Sequence, residues 1–149
     1  MENEAPAGRV RCRVLFICVG NSCRSQFAEA LSRHLAADVI EPASAGLSPL
    51  GRIAEPTRTV AAELGLPLDG QASKGFSAAD LDRADLIVNL TGMPGRAVFE
   101  TETPVVDWNV DDPYGEEPAV YRRIAAEIEA RVLHLAAELR PKRIPSAAG

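Results

Sequence analysis

The chain runs to 149 residues, 46% apolar and 25% charged, with a net charge of −5. This is the make-up of one soluble globular domain with enough apolar residues for a core, and its acidity argues against nucleic acid or an anionic membrane as partner. Three cysteines, an odd number, argue against a secreted disulfide framework; no apolar run reaches the length of a membrane span, and residues 1–8 lack a signal-peptide core, so a cytoplasmic protein is expected.

Residues 1–8 read as a frayed tail and 141–149 as another, leaving one domain over 9–140. The apolar run Val14-Leu15-Phe16-Ile17 predicts a buried strand over 11–17. A polar loop follows, Cys18-Val19-Gly20-Asn21-Ser22-Cys23-Arg24-Ser25, and then a helix over 25–36. Ser25 is its expected N-cap, and Phe27, Ala28, Leu31 and Leu35 form its apolar face. His34 flanks that face and is given no role. A short strand over 39–43 leads to a turn at Ser44-Ala45-Gly46 and a loop marked by Pro49, Gly51 and Pro56. A second helix over 56–64 is stopped by Gly65 and Pro67.

Residues 70–75 read as polar and irregular, and a short helix over 77–83 has Ser77 as cap with Asp80 three residues on. A buried strand is expected over 85–90, a turn or short helical piece over 93–99, and a brief strand at Val105-Val106. After a long loop, the last helix spans 119–139, with Tyr121, Ile124, Ile128, Leu135 and Leu139 at helical spacing. Arg123, Glu127 and Arg131 are expected to pair on its solvated face. Strand and helix alternate, so the fold class is α/β: a single three-layer domain, a four-stranded parallel sheet with helices on both faces. In such sheets ligands sit beyond the C-terminal strand ends, where both the Cys18 loop and the segment after Val106 emerge.

The loop after the first strand carries the chemistry. Gly20 and Asn21 readily take positive φ, so the loop can curl, and a curled loop at a helix N-terminus turns its N–H groups inward to receive a tetrahedral oxyanion. Arg24 adds a planar cationic fork, and Cys18 lies at the base, where that field favours a thiolate nucleophile. Further on, Asp111-Asp112-Pro113-Tyr114-Gly115 sits on the loop after the last strand, where a leaving group would project. Cleavage of a phosphate ester at a cysteine needs an acid for the departing oxygen and then a base for water.

The run 14–30 closely resembles the low-molecular-weight protein tyrosine phosphatase superfamily, which also holds the thioredoxin-coupled arsenate reductases; the likeness extends over about 11–139. It implies a phosphate-binding loop of Val19, Gly20, Asn21, Ser22, Cys23, Arg24 and Ser25 around the nucleophile Cys18. By the same matching Asp112 is the general acid and base, and Tyr114 walls the pocket against an aryl substrate. Ser25 would hydrogen-bond the sulfur and Asn21 would hold the strained loop without touching substrate. Gly115 departs from the family, which often has a second aromatic there. Cys23 matches a second cysteine of many family phosphatases, which implies a reversible disulfide with Cys18; a thiol packed beneath the loop is the equal alternative. Cys12 and Cys18 lie about 20 Å apart along an extended strand and cannot bridge. Leu47, Ser48, Leu50, Arg52 and Tyr121 are the surface residues expected to shape selectivity.

The resemblance implies a phosphatase for phosphotyrosine proteins or small aryl phosphates, working through a phosphocysteine with no cofactor and no metal. An arsenate reductase of the same fold is the alternative, since arsenate has nearly the shape and charge of phosphate. The thioredoxin-coupled reductases carry two further cysteines after the third strand, where this chain has Thr91, and no cysteine follows Cys23. A reductase would then borrow an external thiol from a mycothiol, glutathione or thioredoxin system. Asn21-Ser22-Cys23-Arg24-Ser25-Gln26 and Gln71-Ala72-Ser73-Lys74 look like the reductase branch, whereas Tyr114 and the missing relay favour the phosphatase, which is the preferred reading. A phosphate-binding module without turnover is a third reading, opposed by intact Cys18, Arg24 and Asp112.

Overall fold

The computed structural model describes residues 11–141; the proposed tail at 1–8 and all of the one at 141–149 except Pro141 lie outside them. Four parallel strands, β1 (Cys12–Cys18), β2 (Ile40–Gly46), β3 (Leu86–Asn89) and β4 (Val105–Asp107), stand in the order β2-β1-β3-β4. Helices α1 (Arg24–Leu35), α2 (Glu55–Glu63), α3 (Ala78–Arg83), α4 (Gly95–Val98) and α5 (Pro118–Leu139) fill the connections and the C-terminal end. The result is the expected three-layer α/β arrangement.

β1 forms because its residues are covered on both faces, as the unbroken apolar run requires. Val14, Phe16 and Cys18 join the core beneath α1 and α5. Leu15 and Ile17 join a smaller core with Leu81, Ile87 and Phe99 on the opposite face. α5 packs on α1 through Tyr121, Ile124, Ile128, Val132 and Leu135, and α2 packs on α5. α3 opens with a reciprocal capping box: Asp80 N–H donates to Ser77 Oγ at 3.2 Å and Ser77 N–H to Asp80 Oδ2 at 2.8 Å.

Three expectations need correction. β2 continues through Ser44-Ala45-Gly46, paired with Phe16, Ile17 and Cys18, rather than turning there. Gly46 is required by the tight approach of the Cys18 loop and Ser44 bonds Asn21 and Glu29, while Ala45 packs in the smaller core; none of them makes a turn. α1 starts at Arg24, so Ser25 lies inside its first turn, its hydroxyl meeting Cys18 Sγ and Asn21 Nδ2; Cys23 occupies the cap position with no side-chain cap bond. On α5, no ion pair joins Glu127 to Arg123 or Arg131 among the described residues. Arg123 reaches Asp111 at 4.0 Å, and Arg131 stacks 6.0 Å from the Trp108 ring and donates to the Asn109 carbonyl.

Candidate active site

The loop between β1 and α1 is shaped by what its carbonyls do. Leu47, Ser48, Leu50 and Ala54 donate their N–H groups to the carbonyls of Cys18, Val19, Gly20 and Ser22, at 2.8 to 3.2 Å. Thr57 Oγ1 also donates to Ser22, and Ser73 Oγ to Gly20. With its carbonyls drawn outward, the loop turns its amides the other way: among the described residues the loop and turn hydrogen bonds include none donated by the N–H groups of Val19 to Cys23. Asn21 makes the curl possible at φ +49, the sole non-glycine residue with positive φ among those described. Its side chain secures that strained backbone by donating to Ser25 Oγ at 2.7 Å and Ser44 Oγ at 3.0 Å, while its Oδ1 accepts from Lys74 N–H at 2.9 Å.

A second layer braces this one. Gln26 Nε2 donates to the carbonyls of Asn21 and Ala72, Gln71 Nε2 donates to Gln26, and Ser44 Oγ donates to buried Glu29 at 2.6 Å. Glu29 is held in turn by Arg33 at 2.8 Å. From the sequence Glu29 has no structural task, Ser44 reads as part of a turn, and Gln71 only as a likeness to the reductase branch. Helical periodicity marks only the apolar face of α1, yet residues Arg24 through Ser32 are all buried. The available signal was the cluster of uncharged polar residues opposite that face.

Gly46 shows how close β2 comes. A Cβ there would lie 2.7 Å from the Val19 carbonyl oxygen and 2.8 Å from the Asn21 nitrogen, both backbone atoms. Gly46→Ala is therefore expected to cost about 1–3 kcal/mol of stability and to weaken phosphate binding by displacing the loop. Thermal unfolding and a calorimetric phosphate titration check this; a variant matching the parent in both would show that the loop tolerates the shift.

Within the cradle lies a cavity of about 220 Å³, lined by Cys18, Val19, Gly20, Ser22, Cys23, Arg24, Ser48, Leu50, Asp112 and Tyr114. Cys18 is 2% exposed, and its Sγ lies 2.9 Å from Ser25 Oγ. Arg24 is equally sequestered; its Nη1 donates to the Val110 carbonyl at 3.2 Å and its Nη2 stands 3.5 Å from Asp112 Oδ2. Arg24 Nε and Ser22 Oγ, in residues lining the cavity, are buried without a hydrogen-bond partner, as is Ser32 Oγ elsewhere on α1. Asp112 Oδ1 accepts from Tyr114 N–H at 3.0 Å, which fixes the turn; Tyr114, 49% exposed, lines the cavity along with Leu50. A roomier hollow of about 360 Å³, between β1, β2 and the segment leading into α3, contains no thiol, and its arginines are paired, Arg83 with Asp80 and Arg13 with Asp85.

The structure thus brings the candidate residues of both loops to one cavity, with Asn21 and Ser25 behind its wall. Ser48 and Leu50 line it, while Leu47 and Arg52 do not. Tyr121 is not a surface residue: it is 1% exposed, because its ring belongs to the α1–α5 core. Cys23 and Cys18 are both free thiols with different partners, Cys23 Sγ donating to the Tyr121 hydroxyl at 3.7 Å. Burial pushes the Cys23 thiol up, against the pull of hydrogen bonds from Thr57 and Tyr121, so it stays protonated at neutral pH. An inward ring of amides, a cationic fork, a buried thiol and a carboxyl across the cavity can together bind a tetrahedral oxyanion and transfer its central atom to sulfur.

The family model for the low molecular weight phosphotyrosine protein phosphatases matches residues 13–144. The chain belongs to this family. Among its relatives within the low molecular weight phosphatase family, a glutaredoxin arsenate reductase of Synechocystis is 31% identical over 129 residues, covering 85% of this chain and 98% of that protein. Arsenate reductase 1 of Bacillus cereus is 36% identical over 121 residues, 80% of this chain and 90% of that one. The structure of the YwlE arginine phosphatase from Geobacillus stearothermophilus superposes with a TM-score of 0.76 at 26% identity, over 86% of this chain and 92% of that one. The family thus spans both chemistries, and these curated relatives lean towards the reductases, against the preference drawn from the sequence. Among the described residues no helix is long and apolar enough to cross a membrane.

Proposed function

We propose that the chain reduces arsenate to arsenite with electrons from an external thiol, Cys18 being the attacking group. The observation that carries this reading is 31–36% identity, over most of the chain, to proteins named arsenate reductases, joined to a phosphate-shaped cradle. The external donor follows from the cysteines present. Cys12 sits at the far end of β1, Cys23 is buried against Tyr121, and Thr91 occupies the segment after β3.

Arsenate docks on the Val19–Arg24 amides and the Arg24 fork. The Cys18 thiolate attacks arsenic, an S–As bond forms, and the departing oxygen leaves as water with a proton from Asp112. A donor thiolate then attacks Cys18 Sγ. The S–As bonding pair stays with arsenic, which leaves as arsenite, and a mixed disulfide remains. A second donor thiol displaces Cys18 from that disulfide and restores its thiolate. Two thiols have then supplied two electrons.

A second reading, hydrolysis of an aryl phosphate through a phosphocysteine, is favoured by Tyr114 and Leu50 at the lip, which arsenate does not need. The purified protein is to be assayed with arsenate plus thioredoxin, glutaredoxin–glutathione or mycothiol systems, and separately with 4-nitrophenyl phosphate. Arsenate-dependent thiol oxidation well above ester hydrolysis is expected. Rapid ester hydrolysis with no arsenate turnover would reverse the assignment.

A further inference from the structure

We propose that Ser73 is a positioning residue that holds the mouth of the cavity and the wall of the anion cradle together, through a hydroxyl shared between Gly20 and Gly51. This rests on the reading of the Cys18 loop as an oxyanion site and adds a residue that lies outside both loops of that site.

Three segments far apart in sequence meet at this hydroxyl. Gly20 belongs to the cradle, Gly51 follows the cavity-lining Leu50, and Ser73 lies in the irregular stretch 71–77 before α3. Ser73 Oγ meets the Gly20 carbonyl at 3.0 Å and the Gly51 N–H at 3.0 Å. A backbone N–H only donates, so the hydroxyl accepts from Gly51 and gives its one hydrogen to Gly20. The Gly20 carbonyl also accepts from Leu50 N–H at 3.0 Å. Both donors draw that carbonyl outward, and in a planar trans peptide the Asn21 N–H of the same unit then points the opposite way. Leu50 completes the joint: a Cβ on Gly20 would lie 3.1 Å from its Cγ, so its side chain packs directly on the cradle.

Ser73 is built in to hold, not to react, since it does not line the cavity. Its neighbours are anchored independently of it. The Ala72 carbonyl accepts from Gln26 Nε2 at 3.0 Å, Lys74 N–H donates to Asn21 Oδ1 at 2.9 Å, and the Lys74 carbonyl accepts from Gly46 N–H at 2.9 Å. None of these bonds uses the Ser73 side chain, so Ser73→Ala removes the clamp and leaves the segment in place. The Gly20 carbonyl then keeps only its Leu50 donor, and the exposed Gly51 loses its tie to the rest of the fold. Ser73 is itself half-buried, which leaves room for the methyl group of a threonine.

The test compares Ser73→Ala, Ser73→Thr and a control, Thr103→Val. The control removes a similar hydroxyl bond, from Thr103 Oγ1 to the Leu81 carbonyl at 2.8 Å, away from the cavity. In Ser73→Ala, phosphate affinity read by calorimetry is expected to fall about two- to tenfold, the range for one net hydrogen bond. KM for arsenate and for 4-nitrophenyl phosphate should rise by the same factor with kcat little changed, the pattern of lost uniform binding. Trypsin should cut after Arg52, exposed and next to Gly51, severalfold faster than in the parent. Ser73→Thr should restore all three, and Thr103→Val should lower thermal stability without moving any of them.

The phosphate titration and the proteolysis need no turnover, so they stand whichever reaction the site performs. Unchanged phosphate affinity in Ser73→Ala, a Ser73→Thr protein no better than the alanine one, cleavage after Arg52 at the parent rate, or an equal loss of affinity in Thr103→Val would each overturn the assignment.

Discussion

Cys18→Ser is expected to remove arsenate turnover by about 10⁴-fold or more, the scale seen when a covalent nucleophile is deleted, while phosphate still binds. The two outcomes separate because the site has two parts. Binding rests on the inward amides of Val19–Arg24 and on Arg24, whose positions are set by the 47–57 segment and by the Asn21 network. None of those contacts uses the sulfur. On the proposed mechanism chemistry rests on Cys18, which the Ser25 hydroxyl meets at 2.9 Å, and a serine oxygen there is a far poorer nucleophile for arsenic. The change is small in volume at a buried position, so only a minor loss of stability is expected. Turnover and a phosphate titration on one preparation decide it. If Cys18→Ser retained arsenate reduction, the electrons would have to enter elsewhere; if it lost phosphate binding as well, the cradle would depend on the sulfur.

What could be read in advance follows from distance along the chain. The Cys18 loop was legible because strand, polar loop and helix are consecutive, so a local pattern fixes where the amides point. Asp112 was legible through its position after the last strand and its Asp-Pro-Tyr context. The bracing was not. Lys74 N–H reaches Asn21 from 53 residues away, and Gln71 reaches Gln26 from 45. No periodicity of a single helix encodes such partners. Ser44-Ala45-Gly46 was misread because small residues mark both a turn and a strand end on which another backbone lies. Tyr121 was misplaced for a different reason: helical spacing predicts a buried ring but not where its hydroxyl ends. The preference for a phosphatase rested on Tyr114 and on missing cysteines; the latter bear on the internal thiol relay and leave an external thiol open.

Asp112→Ala is expected to lower kcat by about 10²–10⁴-fold, the usual contribution of a general acid, for arsenate and for aryl phosphates with poor leaving groups. Asp112 is the better placed of two adjacent carboxyls. Its Oδ2 stands 3.5 Å from Arg24 over the cavity, and its side chain is half-exposed. Asp111 points to Arg123 at 4.0 Å, with 83% of its side chain in solvent and no place in the cavity lining. Asp111→Ala should therefore change turnover less than about twofold, as surface charges of this kind contribute little. Phosphate binding should move the other way in Asp112→Ala: removing a carboxylate beside Arg24 frees the fork and relieves repulsion of the anion, so affinity rises severalfold. A lower kcat with tighter phosphate is a pattern that general unfolding cannot produce, since unfolding weakens both. Steady-state kinetics at saturating thiol, with good and poor leaving groups compared, supply the measurement. Unchanged turnover of poor leaving groups in Asp112→Ala, or a larger loss in Asp111→Ala, would move the proton donor to another residue.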